Sequence, residues 1–250
     1  SGITTLGSDA IINSVNIGKG SLGLTGNTVL GETALDAITT GTHNTAVGKD
    51  ALTANTTGSH NVAVGSGALD ANTTGNYNYA LGRDALGSNT TGSVNIAIGN
   101  AMYNNTSGES NIAIGSNSLN DNTTGNYNVA LGRQALGDNT TADSNTAIGY
   151  NSLFYNTTGH SNTALGKDAL KANTTANYNV AIGALCLDAN TTGEDNTAAG
   201  VAALGKNTTA SNNTAFGRAA LAENTTGANN VAVGADALDA NTTASNNTAI

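Results

Sequence analysis

The sequence predicts a mainly β protein, a parallel β-solenoid with one strand and a short helical or irregular arc in each coil. The first observation is a period of about 17 residues that restarts from Asn44 to the last residue, and a fixed period of this length is typical of solenoids. The second is its constant order, N-x-A-x-G-x-x-A-L-x-x-N-T-T-G-x-x, which we number from Asn44 to His60. The third is composition: 32 Gly and only 10% charged residues fit a thin core of small side chains.

The repeat divides the chain into two parts. Residues 1–13 do not match it and are expected to be an N-terminal entry or cap segment, whereas 14–250 form the β-solenoid repeat domain. Because solenoids need polar caps and the chain stops inside a unit, we expect either a fragment of a longer fibre or an end that something else covers. The step from Gly99 to Gly115 is one residue short, with Met102 and Tyr103 where Ala and Leu are expected, which predicts a local irregularity.

The strand positions have distinct predicted roles. The fourth position, such as Val47, is always apolar and is predicted to point inward, with the second position on the same face. The third position is Ala in every regular coil, which indicates close packing on the opposite face rather than open solvent. We therefore predict that another chain covers that face, through a contact column of Ala46, Ala63, Ala80, Ala97, Ala113 and Ala130.

The remaining constant positions predict turns and ladders. Gly48 and its equivalents are expected at a positive φ or at a close approach. Asn44 and its equivalents are expected to stack and form an amide ladder. The arc after the glycine contains helix formers, and its Leu, such as Leu52, is predicted to point inward with the preceding Ala. The N-T-T-G segment closes the coil.

Charge and composition exclude several classes of partner. The formal net charge is −9, which argues against nucleic acid and anionic membrane surfaces. No apolar run of about 18 residues is present, so membrane insertion is not expected. The only cysteine, Cys186, stands where other coils have Ala or Ser and is interpreted as a small buried hydrophobe.

No set of residues points to catalysis, so we predict that the chain is not an enzyme and has no cofactor or metal. His43 and His60 occupy equivalent places in successive coils; an axial metal site is one interpretation and solvated loop histidines the favoured one. Acidic residues lack the spacing of a calcium loop. The N-T-T segments match the N-glycosylation pattern, which we interpret as a by-product of the turn.

Two sets of side chains are candidates for binding. Exposed aromatics can stack on sugars, which makes candidate glycan contacts of Tyr77, Tyr127, Tyr150, Tyr155 and Tyr178. Packing between coils or subunits is the more ordinary interpretation of the same tyrosines. Stacked threonine pairs such as Thr56 and Thr57 favour an ice-binding array, although adjacent strand residues would face opposite ways.

The repeats resemble a known group. Units such as Asn61-Val62-Ala63-Val64-Gly65 resemble the N-S-V-A-I-G units of YadA-like heads in trimeric autotransporter adhesins, and the form extended by A-L-x-x-N-T-T-G resembles repeats of phage tail fibre proteins. The resemblance covers nearly the whole chain after residue 13. It implies a left-handed solenoid, three copies of which pack around a common axis.

The expected function follows from this resemblance. We expect a structural shaft of a fibrous attachment protein, located in a virion tail fibre or on a cell surface, that projects or contributes to receptor binding. Its expected partners are its own copies in a homotrimer and a cell-surface glycan or receptor. The alternatives are an ice-binding solenoid and, less favoured, a fibre that degrades polysaccharide; no paired carboxylates that depart from the repeat support the latter.

Overall fold

A computed structural model describes residues 10–12, 15–20 and 22–250. The chain divides into two compact units, Ser1–Ala113 and Ile114–Ile250, which are described separately. Within the described part, nothing helical has the length and apolarity that a membrane crossing needs. Most of the N-terminal segment predicted for residues 1–13 lies outside the described residues.

The first unit begins with an antiparallel hairpin and continues as a parallel ladder. Its strands are β1 (Ala10–Ile12), β2 (Val15–Gly18), β3 (Thr28–Gly31), β4 (Thr45–Val47), β5 (Val62–Val64), β6 (Tyr79–Leu81) and β7 (Ile96–Ile98). Strand β2 pairs antiparallel with both β1 and β3, and the first parallel pair is β3 with β4. The parallel solenoid therefore starts at Thr28, later than the predicted start at residue 14.

The second unit is a parallel ladder in sequence order. Strand β8 (Ile112–Ile114) lies at the boundary between the units, and the ladder contains β9 (Val129–Leu131), β10 (Thr146–Ile148), β11 (Thr163–Leu165), β12 (Val180–Ile182), β13 (Thr197–Ala199), β14 (Thr214–Phe216), β15 (Val231–Val233) and β16 (Thr248–Ala249). Each strand pairs with equivalent residues of the next, for example Ala147 with Ala164. The predicted parallel β-solenoid is confirmed.

The interior of each coil contains the strand alanine and the arc leucine. Ala164, Ala169 and Leu170 are all fully buried, whereas Leu165 is 43% exposed. The prediction that the fourth strand position points inward is therefore wrong. The alternation was read correctly, but the small side chain faces inward because the arc leucine and buried asparagines occupy the space within the coil.

The arc is irregular, and no helix occurs among the described residues. In most coils two arc residues have positive φ, such as Asp168 at 55° and the buried Leu170 at 51°. Positive φ is uncommon for a bulky L-residue. The arrangement lets Leu170 N–H donate to the carbonyl of Cys186 in the next coil at 3.0 Å, so the backbone polar groups are paired between coils.

The predicted glycine conformation is confirmed. Gly166 has a φ of 137°, and an added Cβ would lie 2.6 Å from the carbonyl carbon and oxygen of Gly183. Glycine is therefore required here for two reasons, because the backbone has a positive φ and because the next coil approaches too closely for a side chain. The glycine of N-T-T-G is different: Gly159 has no positive φ, and Ala142 and Ala176 stand at the same place in neighbouring coils.

The short coil is irregular as predicted, but at a different residue. Ala101 and Met102 are fully buried and occupy the Ala-Leu places, while Tyr103 is exposed. The missing residue therefore precedes Ala101, and the earlier alignment of Met102 and Tyr103 with Ala and Leu is wrong. The side chain of Asn100 donates to the Arg83 carbonyl at 3.4 Å, a place where the regular coil uses a backbone N–H.

Two asparagine ladders run through the interior. In the predicted one, Asn61 N–H donates to Asn44 Oδ1 at 3.0 Å, and Asn61 Nδ2 donates to the Gly75 carbonyl at 2.9 Å. In the second, Asn72 Nδ2 donates to Asn55 Oδ1 at 2.8 Å and to the same Gly75 carbonyl at 3.1 Å. All four asparagines are fully buried, and these bonds satisfy polar groups that water cannot reach.

Candidate functional site

The main exposed feature is the outer face of the sheet, defined as the side chains at the second and fourth repeat positions. These positions alternate with the buried alanine, so both point away from the coil interior. The fourth position is the more exposed, and its exposed members include Leu81, Ile98, Ile114, Leu165, Ile182, Phe216 and Val233. The second position adds half-buried Thr, Val and Ile.

The fourth position makes this outer face apolar over successive coils. Leu165 and Ile182 pair directly in the parallel ladder and are 43% and 42% exposed. A continuous apolar surface of this kind is characteristic of an interaction site rather than of solvent-facing sheet. The arrangement can pack against a second flat apolar surface.

The predicted alanine contact face is wrong. Ala46, Ala63, Ala80, Ala97, Ala113 and Ala130 are at most 1% exposed within a single chain. Side chains that the coil itself covers cannot contact another chain. These alanines are closely packed, as the sequence indicated, but they pack against the interior of their own coil.

The candidate tyrosines are all exposed, between 42% and 66%. The ring of Tyr77 stacks on His60, with centroids 4.8 Å apart and planes at 2°. Tyr150 lies below the Arg133 guanidinium, 5.8 Å from its Cζ atom. The His60 ring covers one face of Tyr77, so a sugar can reach only the other face. Glycan contact stays a prediction for all five tyrosines.

The two remaining candidate tyrosines, Tyr155 and Tyr178, pack against aromatic rings of the same coil or of a neighbouring coil. Tyr155 contacts Phe154 edge to face at 4.7 Å, and Tyr178 contacts His160 at 5.1 Å with planes at 88°. These contacts agree with the ordinary interpretation of packing between and within coils. They leave more than 40% of each tyrosine accessible.

The two histidines at equivalent places of successive coils are in contact. His43 and His60 stack with centroids 4.9 Å apart and planes at 6°. Together with Tyr77 they form a three-ring column at the last repeat position. In the part of the chain that the structure describes, no three His, Cys, Asp or Glu side chains converge as metal ligands would.

The threonine pairs have unequal roles. Thr157 donates its hydroxyl to the Thr174 carbonyl of the next coil at 3.1 Å, and its equivalents form the same bond. The second threonine, such as Thr158, is exposed. The second threonines therefore form one exposed column, whereas the hydroxyls of the first threonines are hydrogen-bonded to backbone carbonyls.

Burial perturbs few ionisable groups. Burial raises the pKa of the Cys186 thiol to about 12, and its Sγ lies 3.3 Å from the Ala198 carbonyl. The thiol is therefore protonated and unreactive, which fits the predicted small buried hydrophobe. Burial, followed by the charge of Asp121, raises the pKa of Asp138 above its ordinary value.

Sequence reasoning missed a column of acceptors at the sixteenth position. Ser59 N–H donates to Asn76 Oδ1 at 2.8 Å, and Asn76 N–H donates to Ser93 Oγ at 3.0 Å. Asn126 N–H donates to Asp143 Oδ1 at 2.6 Å in the second unit. The signal was present, because Ser, Thr, Asn, Asp and Glu dominate this variable position, and short acceptor side chains suit such bonds.

The fold places the chain in the class of parallel β-solenoid repeat proteins. The chain shows no significant match to a protein-family model, a curated protein or a solved structure. The likeness to adhesin heads and tail fibre repeats therefore rests on the repeat sequence alone.

Proposed function

We propose that the protein is the structural shaft of a fibrous attachment protein, which associates with its own copies as a homotrimer. The observation that carries the proposal is the outer face, which is apolar through successive coils and exposed in the single chain. The contact surface is thus the second and fourth repeat positions instead of the alanine column. The expected location remains a virion tail fibre or a cell surface.

The area of this face supports self-association. At the exposure of Leu165, an aliphatic side chain shows on the order of 50–70 Å² of apolar surface. With the second position included, about seven coils of the second unit offer on the order of 600 Å², which approaches the roughly 800 Å² per partner of a standard interface. Copies of one chain share the same coil spacing, so they can align along the whole face.

The mechanism of such a shaft is mechanical. Backbone groups pair between coils, the asparagine ladders join each coil to the next, and leucine fills each interior. Neighbouring repeats therefore stabilise one another, as in other solenoids. A stiff shaft presents several copies of any binding surface at once, and multivalency then raises the avidity of weak contacts.

The oligomeric state tests the proposal. Sedimentation equilibrium over a wide concentration range should give about three times the chain mass of 24.6 kDa. Leu165→Glu combined with Ile182→Glu should shift the mass to that of a monomer, because charge on an apolar interface is costly. A wild-type monomer at all concentrations would contradict the proposal.

An ice-binding function is the second candidate, and the exposed threonine column favours it. Thr141, Thr158, Thr175 and Thr192 are exposed at equivalent places in successive coils, with a spacing of roughly 4.8 Å along the ladder. Thermal hysteresis at micromolar protein concentration is the measurement. Hysteresis that Thr175→Lys abolishes would favour this function, and the absence of hysteresis in the wild type ends it.

A further inference from the structure

The second unit has an open cleft of about 230 Å³ outside the outer face. It spans two neighbouring coils and is lined mainly by polar residues, among them Thr141, Asp143, Ser144, Thr158 and His160. Both coils have serine at the last repeat position, and these two serines, Ser144 and Ser161, also line the cleft. The small side chains leave the space that a larger residue would fill.

Tyrosines stand at the same position in the coils before and after the cleft. Backbone bonds order this column: Ser144 N–H donates to the Asn126 carbonyl at 2.9 Å, and Tyr178 N–H donates to the His160 carbonyl at 3.3 Å. The resulting Tyr-Ser-Ser-Tyr column consists of Tyr127, Ser144, Ser161 and Tyr178. The two tyrosines are 66% and 55% exposed.

The spacing of this column suits one sugar ring. Tyr127 and Tyr178 are three coil steps apart, or about 14 Å at the parallel-strand spacing, but His160 packs edge to face on Tyr178 with ring centroids 5.1 Å apart. The free length therefore runs from Tyr127 to the coil of His160, two coil steps or about 10 Å. After allowance for van der Waals contact of roughly 3.5–4 Å at each end, this gap accommodates one pyranose ring. In the first unit, His43, His60 and Tyr77 stack directly on one another at the same position and leave no such gap.

The polar groups of the cleft have capacity for ligand hydroxyls. Asp143 uses Oδ1 to accept from Asn126, and the described residues provide no partner for its Oδ2. His160 Nδ1 lies 3.3 Å from Ser161 Oγ, and Nε2 has no partner among the described residues. A carboxylate oxygen, an imidazole nitrogen and hydroxyl groups together can pair with vicinal hydroxyls.

We propose that the cleft between Tyr127 and the packed rings of His160 and Tyr178 is a binding site for one ring of a neutral oligosaccharide, with Asp143 and His160 as hydrogen-bonding groups. Tyr127, in the coil before the cleft, provides apolar contact with the sugar ring. A negatively charged glycan fits poorly, because Asp143 lines the cleft and the chain carries a net charge of −9. The proposal deepens the attachment function and rests on it for the biological source of the ligand.

Calorimetric titration of the full chain with maltose, cellobiose, lactose and N,N′-diacetylchitobiose tests the site. At least one should bind saturably, with a Kd on the order of 1 mM. Ser161→Tyr should abolish this binding because it fills the cleft with a residue that other coils carry at that position. Asn229→Tyr places the same residue at the same repeat position away from the cleft and should leave binding unchanged.

A second pair of variants tests the tyrosine contact. Tyr127→Ser should weaken binding about tenfold, whereas Tyr77→Ser in the first unit should not change it. The proposal is overturned if none of the four disaccharides binds at about 20 mM, or if Ser161→Tyr or Tyr127→Ser binds as well as wild type. A monomer that binds sugar would contradict the trimeric shaft but support this site, and a trimer that binds none would do the reverse.

Discussion

The side-chain oxygen of Asn44 accepts two hydrogen bonds from Asn61, from its backbone N–H at 3.0 Å and from its Nδ2 at 3.2 Å. Both residues are fully buried. Each asparagine thus acts as acceptor toward the next coil and as donor toward the previous one. This pairing is possible only where identical residues stack in register, and it makes every asparagine of the column depend on its neighbours.

Removal of one ladder member should destabilise the protein strongly. Asn61→Ala leaves the Gly75 carbonyl and Asn78 N–H without their Asn61 partners inside the coil. We expect a loss of about 2–4 kcal/mol in the free energy of unfolding, measured by urea denaturation. Thr57→Ala, at an exposed residue of the adjacent turn, is the control and should change stability by less than about 0.5 kcal/mol. Equal effects of the two variants would refute the ladder's contribution.

The positive φ of the arc leucine should reverse the usual order of alanine and glycine. Leu170 is buried at a φ of 51°, so both Leu170→Ala and Leu170→Gly lose its packing, at about 2–5 kcal/mol. Glycine adopts this conformation without the roughly 1 kcal/mol cost that alanine bears. Thermal unfolding should therefore show Leu170→Gly to be at least as stable as Leu170→Ala. In the strand, Ala164→Gly should destabilise the protein relative to alanine. If Leu170→Gly is less stable than Leu170→Ala by a similar amount, the positive φ of residue 170 has no such effect.

The glycine that follows the strand and the glycine of N-T-T-G should differ in their tolerance of a methyl group. Gly166→Ala combines a φ of 137° with a Cβ 2.6 Å from Gly183, so we expect a loss of more than about 3 kcal/mol or no folded protein. Gly159→Ala brings its Cβ within 2.4 Å of the Ala176 carbonyl oxygen, but it needs no positive φ and neighbouring coils accommodate alanine at this place, so we expect a smaller loss than at Gly166. Circular dichroism during thermal unfolding compares them. Similar melting temperatures for both variants would be inconsistent with this account.

Charge should affect the two faces of a strand in different ways. Leu165→Glu changes a side chain that is 43% exposed, so the single chain should stay folded while self-association weakens. Ala164→Glu places a carboxylate in the fully buried column and should prevent folding of that coil. Sedimentation and circular dichroism together separate the two results. If Ala164→Glu folds but no longer self-associates, the alanine column is the contact face after all.

Asp138 should make stability fall as pH rises. Burial and the charge of Asp121 raise its pKa in the folded state above the ordinary value of 3.8, so the folded protein binds this proton more tightly than the unfolded chain. The stability cost is absent below the unfolded pKa and complete above the folded pKa. Asp138→Asn should therefore stabilise the protein at pH 7 by less than about 1 kcal/mol, given partial solvent exposure, and not at pH 3. Urea unfolding at both pH values tests this, and an equal effect at both would contradict it.

The repeat itself determined much of the architecture. A period of about 17 residues, with Asn, Ala, Gly and Leu at constant places, was sufficient to predict a parallel solenoid, the ladder of Asn44 and Asn61 and the conformation of Gly48. These features follow from in-register stacking, because identical positions of successive coils must become neighbours. The alternation along each strand also placed the second and fourth positions on one face.

The tertiary structure alone decided which face of each strand lies inside. Alternation separates Ala46 from Val47 but does not show how much space the coil encloses. That space depends on the arc, where Leu52 enters at positive φ beside the buried asparagine Asn55, and it leaves room only for alanine. The larger apolar residues must therefore face outward. The cleft beside Asp143 and His160 also required coordinates, because it arises from small residues that meet only when neighbouring coils stack.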